Sequence, residues 1–526
     1  MMAANSPSPS ALPAALPAAL TAPAALRVLH VCSEVFPLLK TGGLADVTAA
    51  LPPALATLGV DCRLLLPGFP AMWPGLTDLT AVVEFAPQFG QQLSQQISQQ
   101  LGQQPGQTAR LWRGRLASGI VCYLIDQAEL YQRPGNPYQD ERGQAYADNY
   151  RRFALLAKVA ARLADAENAA DPAWCAQILH CHDWHAALAP AYLKAQHMAS
   201  GQRVAASVMT IHNLAYQGLF PRQVFGELGL PPQFNDMNGV EFYQQVSFLK
   251  AGLFFADKIT TVSPTYASEI VQPEQGCGFD GLLRGRRIDL HGILNGVDPA
   301  IWHPGVDNAL AQTYTRQALG GKAVCKAALQ SATGLAQQAD RPLFGVVSRL
   351  TEQKGLHLLL HGAPALLQQG GQLVLLGNGE PQLEAAFTEL ARQHPQQVAL
   401  KLGFDESFAH QIMAASDVVC VPSRFEPCGL TQLYGLQYGS LPLVHRVGGL
   451  ADTVTDSSLE NLDDDSANGF VFAPFTQAAF DGAVRRAFAL YRRPAAWGAV
   501  QQHAMAQDVS WQHAAKQYLA LYQTLV

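Results

Sequence analysis

The residues of this chain that could do chemistry sit where apolar runs end. The richest stretch is V-P-S-R-F-E-P-C-G-L-T, from Val421 to Thr431. It follows the apolar run Asp417–Val421, turns through Pro422, Ser423 and Pro427, and enters a helix near Leu430 by way of Gly429. After Gly439 a second apolar strand, Leu441–Val444, ends in Gly448-Gly449 before another helix. Strand–loop–helix twice over puts polar groups at strand C-terminal ends, where open α/β sheets bind ligands. Helix N-termini at that edge offer free N–H groups and a positive dipole end, which suit a phosphate. Glu426 lies in the first of these loops. A bare carboxylate repels phosphate, so Glu426 is better suited to the hydroxyl groups of a sugar.

Other loops repeat the pattern. Lys40 precedes Gly42 and Gly43 after the strand Leu26–Cys32. The glycines let a ligand approach the backbone, and the lysine adds a mobile positive charge. Arg349 and Lys354 flank the turn after Leu343–Ser348. A guanidinium fork and a point charge there suit a diphosphate; the competing reading is two solvated surface charges. His212 ends the strand Val208–His212, where a general base or a structural histidine would both fit. The run I-L-H-C-H-D-W-H holds His180, His182, Asp183 and His185. His180 and His182 share a strand face while His185 lies past the turn, and no second ligand cluster stands out, so no metal site is expected. Asp183 is expected to cap the helix that follows.

A chain of 526 residues is too long for one compact core, so two large domains are expected. Strands and helices alternate from Arg27 onward and restart at Leu343, which gives an α/β fold of two Rossmann-like domains facing across a cleft. Neither glycine turn is a dinucleotide fingerprint: L-G-N-G-E has Gln382 where a third glycine belongs. Net charge is −6, which argues against a nucleic-acid surface. No apolar run is long and clean enough to span a membrane. Nine cysteines without a C-x-x-C pair read as reduced thiols of a cytoplasmic protein. Residues 1–25, rich in Ala and Pro, read as a disordered extension, and 89–108 as a Gln-rich insertion. The expected limits are 26–291 for the N-terminal domain, 292–505 for the C-terminal domain and 506–526 for a helix crossing back to the first. The residues alone leave three readings open: a glycosyltransferase, a nucleotide-dependent epimerase or dehydrogenase, and a non-catalytic phosphosugar-binding protein.

The stretch S-R-F-E-P-C-G-L-T-Q-L-Y-G, with K-T-G-G-L and T-I-H-N-L-A-Y-Q-G, resembles the bacterial glycogen (starch) synthases. The resemblance runs from Arg27 to the C-terminus, apart from the Gln-rich insertion. It implies the glycosyltransferase-B architecture and transfer of glucose from ADP-glucose to the non-reducing end of an α-1,4-glucan, such as glycogen, with retention of configuration. A UDP-glucose-using enzyme is the alternative. Matched motif by motif, Lys40, Gly42, Gly43 and Asp46 fall in the donor loop, Asp183 and His212 on the N-terminal wall, Tyr138 near sugar and acceptor, and Asn295 at the hinge. Arg349 and Lys354 would hold the diphosphate and Glu426 the glucose. Cys428, Gly429, Leu430 and Thr431 form the loop whose backbone N–H groups would meet phosphate, and Phe404 would line the base pocket. Many relatives carry a second glutamate further along the Glu426 helix; here that place holds Tyr434. Three cations, Arg349, Lys354 and Lys40, would stabilise the leaving diphosphate, so no metal and no cofactor are expected.

Overall fold

The computed structural model describes residues 25–85, 108–202 and 204–526. The N-terminal extension and the Gln-rich insertion lie outside the described residues, save Ala25 and Thr108 at their edges.

Apolar runs buried on both faces make parallel strands, and the chain builds two sheets from them. The first has nine strands, in the order Leu290–Gly292, Lys258–Thr261, Ala206–Ile211, Ile178–His182, Arg27–Val31, Asp61–Pro67, Val121–Asp126, Ala109–Arg115, Thr77–Phe85. All pairs are parallel except those of Ala109–Arg115, which is antiparallel to both neighbours. Those last two strands go beyond the sequence reading. They flank the Gln-rich insertion, with Phe85 opposite Ala109.

The second sheet has six parallel strands, ordered Val398–Leu402, Gln372–Gly377, Leu343–Val347, Val418–Val421, Leu441–His445, Phe470–Phe472. Each sheet has one place near its middle where neighbouring strands connect onward in opposite directions across the sheet. In the second sheet this happens between Leu343–Val347 and Val418–Val421; in the first, between Arg27–Val31 and Ile178–His182. A crevice opens at such a switch point because the two connecting loops leave to opposite sides. The loops after these four strands carry Lys40, Asp183, Lys354 and Glu426.

Each sheet has its own buried core. A third cluster joins the chain's ends: the helix Trp511–Gln523 lays Trp511, Tyr518 and Tyr522 against Leu51 and Leu55 of the helix Gly43–Ala56. The helix Pro494–Ala504 still packs in the second core, through Trp497 and Val500. The chain therefore returns to the first sheet after completing the second.

The two halves also touch directly. Ser263 Oγ donates to the Pro427 carbonyl at 2.7 Å. Asp452 accepts from Thr265 N at 2.9 Å and Thr265 Oγ1 at 2.6 Å, at the start of the helix Pro264–Glu269. Glu269 in turn accepts from Gly448 N at 3.0 Å, at the start of the helix Gly448–Thr453. Each helix start is thus satisfied by a carboxylate from the other half.

Candidate active site

The wall contributed by the first sheet is organised by Glu34, a residue the sequence motifs do not single out. It is buried, and its carboxylate accepts from Thr41 N at 2.6 Å and Thr41 Oγ1 at 2.5 Å. It also accepts from the Tyr138 hydroxyl, and its carbonyl accepts from Thr48 Oγ1 at 2.6 Å. The Glu34 carboxylate therefore fastens the Lys40–Gly43 turn and the Tyr138 loop, and its carbonyl ties in the helix behind them. Burial and the Glu34 charge push the Tyr138 phenol up. The Tyr138 ring stacks on His185 with centroids 4.7 Å apart.

Lys40 bonds Asp46 at 3.0 Å, lies over Phe36, and stands 3.9 Å from Glu406 of the second half. A Cβ placed on Gly42 would meet nothing within 4 Å, so the turn has open space for a ligand; one on Gly43 would lie 3.6 Å from Leu430 Cδ1 across the cleft. The Lys40–Gly43 turn and the Glu426 loop therefore face each other.

Asp183 does not cap its helix. No side-chain cap bond forms there, and the residue is held at φ 53°, which aims its carboxylate back at the neighbouring strand. It accepts from the backbone N–H of His212 at 2.8 Å and, more weakly, of Asn213 at 3.4 Å. Burial still raises its pKa to about 7 against those two donors. Asp183 thus positions the loop that carries His212. The His212 Nε2 meets His182 Nδ1 at 2.9 Å, and His182 Nε2 meets His30 Nδ1 at 3.1 Å. His180 points elsewhere, to the Tyr522 hydroxyl at 2.7 Å and to Thr210 Oγ1 at 2.5 Å. His30, His180 and His182 lie close enough to share a metal ion, but both nitrogens of His180 and His182 are already in hydrogen bonds, which an ion would have to displace.

In the second half, Lys354 and Glu426 form an ion pair at 2.6 Å, and Ser423 Oγ donates to the same carboxylate oxygen at 2.8 Å. Both line one pocket with Gly429, Leu430 and Thr431, at the start of the helix Thr431–Tyr438. Gly429 adopts φ 73°, and a Cβ there would collide with Gln432 Oε1 at 2.3 Å. Gly448, at φ 45°, has no room either, since its Cβ would lie 2.0 Å from the Glu426 carbonyl. The second glycine turn therefore seals the back of the Glu426 loop. The Asn295 Oδ1 is buried without a hydrogen-bond donor. Cys428 is buried behind the loop, where burial pushes its thiol up to about 12. Two expected residues stand apart. Arg349 is exposed, and its guanidinium has no partner among the described residues. Phe404 is 77% exposed at the rim.

Tyr434 belongs to an aromatic stack. Its ring stacks on Trp302 at 3.8 Å and 7°, and Trp302 stacks on His410 at 3.8 Å and 15°. Asp307 fixes that stack by accepting from Tyr438 at 2.6 Å and bonding His410 Nδ1 at 2.7 Å. Trp302 carries no motif, because a stacking partner is set by three-dimensional packing rather than by local spacing.

Comparison with known proteins bears on what these two walls do. Residues 27–285 match the starch synthase catalytic domain family, and residues 332–502 match glycosyl transferases group 1. The glycogen synthase of Francisella tularensis subsp. novicida (strain U112) is 55% identical over 503 residues, covering 95% of this chain and 99% of that protein. The glycogen synthase of Leptothrix cholodnii (strain ATCC 51168 / LMG 8142 / SP-6) is 55% identical over 499 residues, covering 95% and 99%. Among solved structures, the catalytic domain of starch synthase IV from Arabidopsis thaliana, bound to ADP and acarbose, superposes with a TM-score of 0.83 at 32% identity, covering 95% of this chain and 99% of that one. With both halves matched and whole-length identity at this level, the chain belongs to the glycogen synthase family of glycosyltransferases.

Proposed function

We propose that the chain transfers glucose from ADP-glucose to the non-reducing end of an α-1,4-glucan, with retention of configuration. The observation that carries this reading is the pairing of walls across one cleft. Lys40 and its open glycine turn face the Glu426 loop, and Lys354, Glu426 and the Gly429–Thr431 N–H groups line one pocket. A diphosphate entering there replaces the carboxylate partners of Lys40 and Lys354, and frees Glu426 to accept from sugar hydroxyls. Arg349, exposed and unpartnered among the described residues, supplies the guanidinium fork at the mouth. Phe404 offers a free aromatic face to the base. The ADP bound to the Arabidopsis relative supports an adenine nucleotide over a uridine one.

Same-face attack fits this site better than double displacement. Neither cleft carboxylate is left to attack the anomeric carbon: Asp183 accepts from backbone N–H groups, and Glu426, once the diphosphate has taken Lys354, accepts from sugar hydroxyls beside Ser423. The cations then stabilise the departing diphosphate as the bond to the sugar weakens, which is electrostatic preorganisation. The domain limits 26–291, 292–505 and 506–526 belong to the same reading, supported by Leu290–Gly292 pairing in the first sheet and by the return of the last helix. No helix among the described residues is long and apolar enough to cross a membrane. We infer a cytoplasmic setting, which nine free cysteines support. The test is to label glycogen with radioactive ADP-glucose and digest the product with β-amylase. Release of the label as maltose is expected. Label that resists this digestion, or is never incorporated, contradicts the linkage or the activity.

A further inference from the structure

Behind His212 lies a file of imidazoles to which glucosyl transfer, as described, gives no role. His30 and His182 are wholly buried on adjacent parallel strands, where His30 stands in register with His180. His30 Nδ1 faces His182 Nε2 at 3.1 Å, and His182 Nδ1 faces His212 Nε2 at 2.9 Å. The far end, His30 Nε2, is buried with no partner. The near end, His212 Nδ1, has no protein partner among the described residues and is not a fully buried atom, and His212 is half-buried just past the C-terminal end of the strand Ala206–Ile211, on the edge that carries Asp183.

Burial holds all three rings neutral at physiological pH: His30 and His212 are pushed down to about 3, and His182 well below its ordinary value. Each ring then carries one hydrogen. Two N···N gaps need one hydrogen each, and the third must sit at an end. Only two arrangements satisfy both gaps. In one, every ring is protonated at Nδ1, and His30 Nε2 is left as a bare lone pair. In the other, every ring is protonated at Nε2, and His30 buries an N–H with no acceptor. Mixed arrangements set two lone pairs, or two hydrogens, face to face. Orphaned buried N–H groups are the rarer kind in folded proteins.

We propose that His30 and His182 lock the tautomer of His212, so that its Nδ1 carries the hydrogen and donates into the cleft. His30 and His182 are positioning residues; His212 is the group that meets substrate. That the acceptor of this hydrogen is a sugar oxygen rests on the glucosyl-transfer reading, whereas the tautomer itself does not. The sequence offers the ingredients, H-V-C and H-C-H on neighbouring strands, but the file exists only because parallel register sets those rings side by side.

The test is nitrogen-15 NMR of the full-length protein with labelled histidine, assigned by His212→Gln and His30→Gln, followed by kinetics of His182→Phe. The wild-type spectrum should show His212 as the Nδ1–H form without any ligand. In His182→Phe, His212 should move toward the Nε2–H form that free imidazole favours in water. Its kcat should fall about tenfold, the size of one lost neutral hydrogen bond, while the donor KM changes less than about twofold. An Nε2–H signal for His212 in the wild type overturns the proposal, and that spectrum decides even if His182→Phe fails to fold. A shifted tautomer with unchanged kcat overturns the functional half. A wild type that shows the Nδ1–H form yet transfers no glucose leaves the file standing and removes the glucosyl-transfer reading instead.

Discussion

Lys354 and Arg349 look alike in the sequence and differ in the structure. Lys354 is held by Glu426 at 2.6 Å, whereas Arg349 is exposed and unpartnered among the described residues. Both should lose about a hundredfold in kcat on substitution by Ala, with a smaller rise in KM, because the leaving charge they meet grows in the transition state. Their effects on the ligand-free protein should separate. Arg349→Ala should leave the melting temperature unchanged. Lys354→Ala strands a buried carboxylate and should cost on the order of 2 kcal/mol, less than a fully buried pair because Lys354 is partly exposed. Steady-state kinetics beside melting curves check both halves; equal melting shifts would mean the Lys354–Glu426 pair is not formed in solution. Asp183 gives a pH prediction. Its pKa is raised to about 7 in the fold, above the roughly 3.9 of an unfolded aspartate. Its stabilising contribution is therefore present below about pH 4 and is lost as pH rises through about 7. Asp183→Asn removes that loss, so its melting temperature should gain on the wild type between those pH values and stay level outside them. A constant difference across the range contradicts the raised pKa. Charged residues in glycine-bearing loops were legible because charge type and loop position are local properties. Glu34 was not, since a glutamate at a strand end becomes a hub only when Thr41, Thr48 and Tyr138 converge on it.

At the scale of elements, the three-residue strands Leu290–Gly292 and Phe470–Phe472 are too short to show as apolar runs, whereas the longer parallel strands were legible as buried apolar runs, to within a residue or two at their ends. Thr77–Phe85 and Ala109–Arg115 were not, because exposed strands such as Thr77–Phe85 carry no apolar run and their pairing spans the Gln-rich insertion. Nor could a sequence show that the short helices Pro264–Glu269 and Gly448–Thr453 satisfy each other's ends across the cleft. Asp452→Ala removes two of those bonds and a cap worth about 1 kcal/mol. Small-angle scattering of the ligand-free variant should show a wider molecule, and its donor KM should rise about fivefold. An unchanged profile would show that the latch does not hold the halves together. The C-terminal helix is the other tie. Trp511→Ala should destabilise by about 3–5 kcal/mol, as large-to-small changes in packed cores do, read by denaturant unfolding of the whole chain. A loss below about 1 kcal/mol would mean the helix is not packed on Gly43–Ala56 in solution.

Over the whole molecule, two sheets with their switch points facing each other set the cleft, and neither half holds a complete site. Lys40, Asp183 and His212 come from the first sheet, and Lys354 and Glu426 from the second. The two-domain plan was visible in the sequence as a strand–helix pattern that restarts, while the facing of the halves depends on contacts such as Ser263 with Pro427 that join residues far apart in the chain. On the proposed reading Lys40, Lys354 and Arg349 meet the diphosphate without a metal, so activity should survive excess EDTA undiminished; complete loss, restored by a divalent ion, would bring the His30–His180–His182 group forward as a ligand set. The decisive measurement is the initial rate of glucose incorporation into glycogen, taken with ADP-glucose and with UDP-glucose in parallel. Rapid elongation from ADP-glucose and much slower elongation from UDP-glucose are expected; incorporation from neither donor would contradict a glucosyl-transferring cleft.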